Sequence, residues 1–253
     1  PTNALVVESP YHAFAVASML FENRPRLPVG IQEPASVDGS ATLGEGVRVG
    51  AFATVASGAI LADGVEVGSG AYIGEGCVIG TDTVIMSRAV LHHGVRVGVR
   101  CMIHSGAVIG ADGFGFAPDA EGRLQPIAQI GSVCLGDDVS VGACTTIDRG
   151  TIEDTLVGDG VKIDNQVQIG HNCKIGDHSV ICGCVGMVGS TVIGRNCMLG
   201  GAVGIAGDSP IHLTDGVMVS AMTHVSRSID EPGLYSGGVL HDKSARWKRN
   251  ALR

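Results

Sequence analysis

The chain has 253 residues, a formal net charge of −8 and a pI of about 5.5, a balance that argues against a nucleic-acid scaffold. Only 4% of its residues are aromatic while 39 are Gly. That excludes a core built on aromatic bulk and implies one stacked from aliphatic and small side chains. No stretch reaches the roughly 18 uninterrupted apolar residues of a membrane span, and the first residues show no signal-peptide pattern.

In chain order, Asn3–Val7 reads as a strand and Tyr11–Phe21 as a helix with apolar periodicity. Asn23–Pro28, with two Pro, reads as a linker. Residues 1–28 are too few for an independent domain and read as the tail of one. Residues 29–240 carry a repeat. From Ile31 an aliphatic residue falls on every sixth position through Val37, Leu43, Val49 and onward to Ile109. The series resumes as Leu135, Val141 and Ile147, and in a second register runs from Val157 through Ile169 and Met187 to Ile211. A hexapeptide period of this kind predicts a parallel β-helix. Three hexads make one coil, so residues three hexads apart lie above one another. The coils stack at about 4.8 Å. The position after the aliphatic residue is often Gly (Gly44, Gly50, Gly68, Gly74, Gly80, Gly98, Gly110), where the chain bends and a positive φ is expected.

Three breaks interrupt the series. Residues 111–129 form an insertion containing Phe114 and Phe116, long enough to be functional or to serve as a subunit-contact flap. A four-residue slip lies between Ile147 and Val157. A shift of two follows Ile211. At the C-terminus, residues 241–253 read as the start of a basic helix. Within it Lys243–Arg253 carries five cations and no acid, and such a cluster suits an acidic partner.

Of the eight Cys, Cys77, Cys101, Cys173 and Cys197 share the fifth place of a hexad and read as small buried hydrophobes. Cys182-Gly-Cys184 lacks redox or zinc spacing. Reduced thiols fit a cytoplasmic protein. A hexapeptide coil needs none of the nine His. His171 stands out because its hexad place points outward. Asp164 precedes it by seven residues, about one corner away, and a carboxylate there would orient the imidazole for proton removal. Gly189, three hexads on, falls one coil above His171, where its N–H could face an oxyanion. Metal binding is the rival reading, but the His pair five apart that marks trimeric zinc hydratases of this repeat is absent.

Six motifs sharpen this. Gly113-Phe-Gly-Phe-Ala117, Thr146-Ile-Asp-Arg-Gly150, Ile163-Asp-Asn-Gln166, Ile169-Gly-His-Asn172, Gly204-Ile-Ala-Gly207 and Glu231-Pro-Gly-Leu-Tyr235 together resemble the N-acyltransferases of lipid A biosynthesis, the UDP-3-O-(3-hydroxyacyl)glucosamine N-acyltransferases. The resemblance runs through nearly the whole chain. It implies an all-β, left-handed parallel β-helix, assembled as a homotrimer with active sites between neighbouring helices. It also implies transfer of a 3-hydroxyacyl group from acyl carrier protein to the 2-amino group of UDP-3-O-acyl-glucosamine. His171 would be the general base, Asp164 its supporting acid and Gly189 the oxyanion donor. Asn165, Phe114 and Phe116 fall in the matched substrate-binding segments. No metal or free cofactor is implied, since phosphopantetheine arrives on the carrier protein.

The chain departs from that pattern in three places. The family begins with a uridine-binding domain of which only the end is matched here, and it closes with a longer helical extension. After Gly207 the family places a second His, where this chain has Asp208, with His212 four residues further on. Two alternatives stay open: a UDP-N-acetylglucosamine 3-O-acyltransferase, and a non-catalytic β-helix scaffold, which would need neither the Asp164/His171 pair nor the Phe loop.

Overall fold

The computed structural model describes residues 6–207 and 210–238, together with Lys243 and Arg246. From Gly30 to Tyr235 the chain winds as a left-handed parallel β-helix of about 11 turns. Each hexad contributes a strand of two to four residues and a tight turn. The strands collect into three parallel sheets of 11, 10 and 9 strands, which are the faces of a three-sided prism. We call them the first, second and third faces, in the order the chain visits them from Gly30.

The register carries the arithmetic of the sequence. Ile31 pairs with Val49 and Val49 with Val67, each three hexads further along. Across the insertion Val97 pairs with Leu135, across the slip Leu135 pairs with Val157, and across the last shift Ile193 pairs with Leu213. The insertion departs through a one-residue bulge between Ile109 and Ala111, and the strands on either side of each break remain in step. The aliphatic of every hexad points inward. Ile73, Ile79, Ile85, Leu91, Ile103 and Ile109 are fully buried, and the column continues above through Ile147, Ile169 and Ile181. Burying one such side chain is worth about 1.5–3 kcal/mol, and each coil adds three.

The fifth place of the hexad is also interior. Cys77, Cys101, Cys173 and Cys197 occupy it as buried free thiols. Burial pushes the Cys173 thiol up to about 12, so it behaves as a small hydrophobe. Thr83 and Ser179 stand in the same place. Thr83 Oγ1 donates to Gly98 O and accepts from Cys101 N–H, so the hydroxyl ties neighbouring turns without an unpaired buried group.

One expectation about glycine is corrected. Of the seven glycines that follow the inward aliphatic, only Gly110 has a positive φ. The others are required by stacking. A Cβ on Gly50 would lie 2.7 Å from Ser69 N, and one on Gly74 would lie 2.6 Å from His93 N. The left-handed residue comes two places later, as at Gly46, Gly58 and Gly64, and is also filled by Phe52, Arg88 and Asn172.

A helix spans Pro10–Met19, starting with Pro as helices readily do, and buries none of its residues. Val6 and Val7 are not in a strand, and residues 3–5 of the expected Asn3–Val7 strand lie outside the described residues. The linker is a strap along the first face. Arg26 Nε donates to Glu66 Oε2 at 3.1 Å, Leu27 N–H to Glu66 Oε1 at 3.3 Å, and Arg24 Nη1 reaches Met102 Sδ at 3.3 Å. Of the expected basic C-terminal helix only Lys243 and Arg246 are described. No helix of the described residues is long and apolar enough to cross a membrane.

Candidate active site

The three breaks in the repeat sit in the upper half of the prism, and the site forms around the first two. The insertion is a β-hairpin, with Phe116–Pro118 antiparallel to Leu124–Pro126. Its root is pinned by Arg149, the residue that the four-residue slip turns inward. Arg149 is 2% exposed. Its Nε donates to Gly110 O at 2.8 Å, Nη2 donates to His93 O at 2.6 Å, and Nη1 contacts His93 Nε2. A guanidinium only donates, so His93 Nε2 is the acceptor in that pair. Burial, and then the nearby Arg149 charge, hold the His92 imidazole below its usual range.

His171 lies on the turn after the strand Gln168–Ile169, at the corner between the second and third faces. Two glycines enclose its ring. A Cβ on Gly113, at the hairpin root, would lie 2.6 Å from His171 Cβ and 3.0 Å from Cδ2. A Cβ on Gly189, one coil above, would lie 2.6 Å from Cε1 and from Nε2. Neither glycine has a positive φ; each is there because the imidazole is close.

The hydrogen bonds fix the tautomer. Asn172 Oδ1 accepts from the Thr151 N–H at 3.0 Å, and Asn172 Nδ2 donates to Glu153 O at 2.9 Å, which sets the orientation of the amide. His171 Nδ1 lies 3.0 Å from that same Oδ1. An amide oxygen can only accept, so Nδ1 carries a proton, and in the neutral ring the lone pair is on Nε2. Thr151 Oγ1 stands 3.4 Å from Nδ1 and donates to Gln129 Oε1 at 3.1 Å, and Gln129 Nε2 donates to Ile127 O. The basic nitrogen therefore faces Gly189, and the proton-bearing one faces a network that runs into the hairpin. Among the described residues nothing accepts from the Gly189 N–H. Gly170 leaves that amide uncovered, since a Cβ there would lie 2.7 Å from Gly189 N.

The other residues expected at the site are distributed as follows. Asp164 is exposed on the corner between the first and second faces; its Oδ1 accepts from Asn165 N–H at 2.8 Å. Within one chain it does not reach His171, because seven residues, one more than a hexad, carry the chain round a corner. Asn165 Oδ1 accepts from Ala143 N–H on the coil below. Phe114 and Phe116 pack edge to face with centroids 5.0 Å apart, and Phe114 is 86% exposed beside Gly113. His212 is exposed on the third face, paired with Val192, and is not joined to His171 by any hydrogen bond of the described residues. Asp208 lies outside the described residues. Sequence reasoning missed Asn172, Thr151 and Gln129. Gln129 and Thr151 signalled themselves only as polar side chains in breaks of an otherwise aliphatic series, and Asn172 only as the residue after His171 in the quoted motif.

Next to His171, the second face carries a groove of about 410 Å³ lined by Gln168, Gly186, Met187, Val188, Gly204 and His224. Gly186 and Gly204 stack directly. Neither has a positive φ, and a Cβ on either would meet nothing within 4 Å. The fold does not require these two glycines; they lower the wall of the groove. Among the described residues no three His, Cys, Asp or Glu group to hold a metal.

A β-helix whose repeat is interrupted around an oriented imidazole defines a class. The family model described as bacterial transferase hexapeptide (six repeats) matches residues 40–75, 76–111 and 154–189. Within that class the relatives are specific. The UDP-3-O-acylglucosamine N-acyltransferase of Bordetella pertussis is 44% identical, with 98% of this chain and 69% of the relative aligned. That of Pseudomonas syringae pv. tomato is 45% identical, with 99% and 71% aligned. This chain belongs to the UDP-3-O-acylglucosamine N-acyltransferase family. A 49% identical relative from Hahella chejuensis aligns over 56% of this chain, and the matched stretch spans 40% of that relative's length. Among solved structures, the Arabidopsis UDP-N-acetylglucosamine acyltransferase superposes with a TM-score of 0.72 at 21% identity, covering 88% of this chain and 77% of the other; that likeness concerns the fold.

Proposed function

We propose that this chain carries the active site that transfers a 3-hydroxyacyl group from the thioester of acyl carrier protein to the 2-amino group of UDP-3-O-(3-hydroxyacyl)-glucosamine, a step of lipid A biosynthesis. The observation that carries the reading is the locked tautomer of His171, with Nε2 unprotonated beside the unused N–H of Gly189. In this reading Nε2 takes the proton from the amine as nitrogen attacks the thioester carbonyl. The Gly189 N–H receives the developing oxyanion. The proton then passes from His171 to the leaving sulfur as the C–S bond breaks. Asn172 performs the orienting role that Asp164 was expected to fill.

The glycine-walled groove supports a linear acyl chain as the group transferred. The exposed Phe114/Phe116 pair supports a substrate or subunit contact beside the base. In a homotrimer the Asp164 corner of one prism would face the His171 corner of its neighbour, adding a carboxylate beside the imidazole that Asn172 already orients. The proposal requires no metal or free cofactor, and assigns the enzyme to the cytoplasm with acyl carrier protein as its partner.

The test is mass-spectrometric detection of product. The protein is incubated with 3-hydroxyacyl carrier protein and, in parallel, UDP-3-O-acyl-glucosamine or UDP-N-acetylglucosamine. An amide product that His171→Ala abolishes is the expected result. An ester on UDP-N-acetylglucosamine, with no amide, would instead identify an O-acyltransferase.

A further inference from the structure

One carboxylate at the site has no role in this scheme. Asp148 ends the strand Thr146–Asp148, one residue beyond Ile147, which pairs with Ile169 of the next coil. The register therefore places Asp148 beneath Gly170, the residue before His171. Its side chain is half-buried, and Gln168 Nε2 donates to its Oδ2 at 2.8 Å. Gln168 in turn accepts from Thr146 Oγ1 and forms the foot of the groove on the second face. Burial pushes the Asp148 carboxyl up to about 6, against the opposing pull of the Gln168 hydrogen bond and of His171.

Other charged groups nearby do not neutralise it. Arg149, the next residue, turns inward to Gly110 and His93. Asp112, at the hairpin root, is 79% exposed. The Cys173 thiol stays protonated. His171 is the titratable group that acts on Asp148 from the elements packed against its strand.

The argument rests on the acyl-transfer reading above. The acceptor's 2-amino group, flanked by oxygen-bearing carbons, titrates near neutrality, roughly in the 7.7–8.0 range of an α-amino group, so a substantial share of it is ammonium in neutral water. Its acylation by a thioester gives an amide, a thiol and one free proton. The proton lost as the C–N bond forms travels through His171 to the sulfur. The ammonium's extra proton must leave before attack, because a protonated nitrogen has no lone pair. A hydroxyl acceptor carries no such proton and no charge.

We propose that Asp148 is a specificity-determining residue that receives the acceptor's ammonium beside His171, takes its extra proton before attack, and thereby selects an amine over a neutral hydroxyl.

The test compares two ligands by calorimetry: UDP-3-O-acyl-glucosamine and the analogue with a 2-hydroxyl in place of the amine. Wild type, Asp148→Asn and Asp164→Asn are measured at pH 7.5, and wild type again at pH 5, with amide formation followed in parallel. A charge-assisted contact predicts that wild type prefers the amine by about tenfold. Asp148→Asn, which keeps an acceptor for Gln168, loses that preference, and Asp164→Asn retains it. In wild type the preference fades below about pH 6, where Asp148 is protonated. A preference that survives in Asp148→Asn and at pH 5, or that disappears in Asp164→Asn instead, overturns the assignment while wild type still makes amide. A wild type that makes no amide and binds neither ligand brings down the acyl-transfer reading and this inference together.

Discussion

The coils from Ile31 to Ile109 and the coils from Ala111 to Gly189 share one interior and differ in everything outside it. In the lower set every register step is three hexads, and the chain runs from turn to turn without leaving the repeat. In the upper set the chain leaves the repeat twice. Those two departures deliver Gly113, Gln129, Arg149, Thr151 and Asp148 to the surroundings of His171. A repeating coil can place one residue type at one corner again and again, but it cannot bring a hairpin root, a buried cation and several unlike polar groups to the surroundings of one imidazole. Stability resides in the regularity and chemistry in its interruption.

Substitutions can test that division. The largest effect is expected from His171→Ala, which should lower turnover about 10²–10⁴-fold with an unchanged melting temperature and oligomeric state. Near-normal turnover would end its assignment as base. In the regular coils Leu91→Ala should do the reverse: it removes a fully buried side chain and should cost about 2–5 kcal/mol in denaturant unfolding. The fraction still folded should retain its kcat, and a specific loss of kcat would show that the two regions are coupled.

Gly189→Ala sharpens the comparison, because its methyl would fall 2.6 Å from His171 Nε2. Turnover should fall about 10–100-fold through displacement of the base, with little change in stability. The smallest effect is expected from Gly186→Ala. Open space at that Cβ predicts a gain of roughly 0.5–1 kcal/mol in stability, read as a small rise in melting temperature. Turnover with long acyl donors should decline, because the methyl enters the groove. A variant both more stable and equally active on every chain length would show that the groove is not used.

The prism was legible in the sequence because its cause is local. One inward aliphatic every sixth residue suffices, and Gly189 could be set above His171 by counting three hexads. The hairpin was legible only as an interruption. The glycines after the aliphatic were assigned to backbone conformation, whereas the coil above dictates them; contact between coils is not encoded in a residue's own neighbourhood. Asn172 was hidden for a similar reason. It follows His171 immediately, yet its role depends on Thr151 and Glu153 fixing its amide from the coil below. The Asp164–His171 spacing was read as proximity, and the corner between them places the two on different edges of one prism.

The way the register survives each break has a practical consequence. Ile109 and Ile147 pair as faithfully as Leu91 and Ile109 do across an unbroken coil, although a whole hairpin intervenes. The interior column is indifferent to how far the chain travels before it returns. Closing a longer excursion adds only about 0.6 kcal/mol per doubling of its length. Each exposed corner of the lower coils is therefore an address at which foreign sequence can be added at a known height, and the lattice of stacked coils would hold separate insertions at a fixed spacing and bearing.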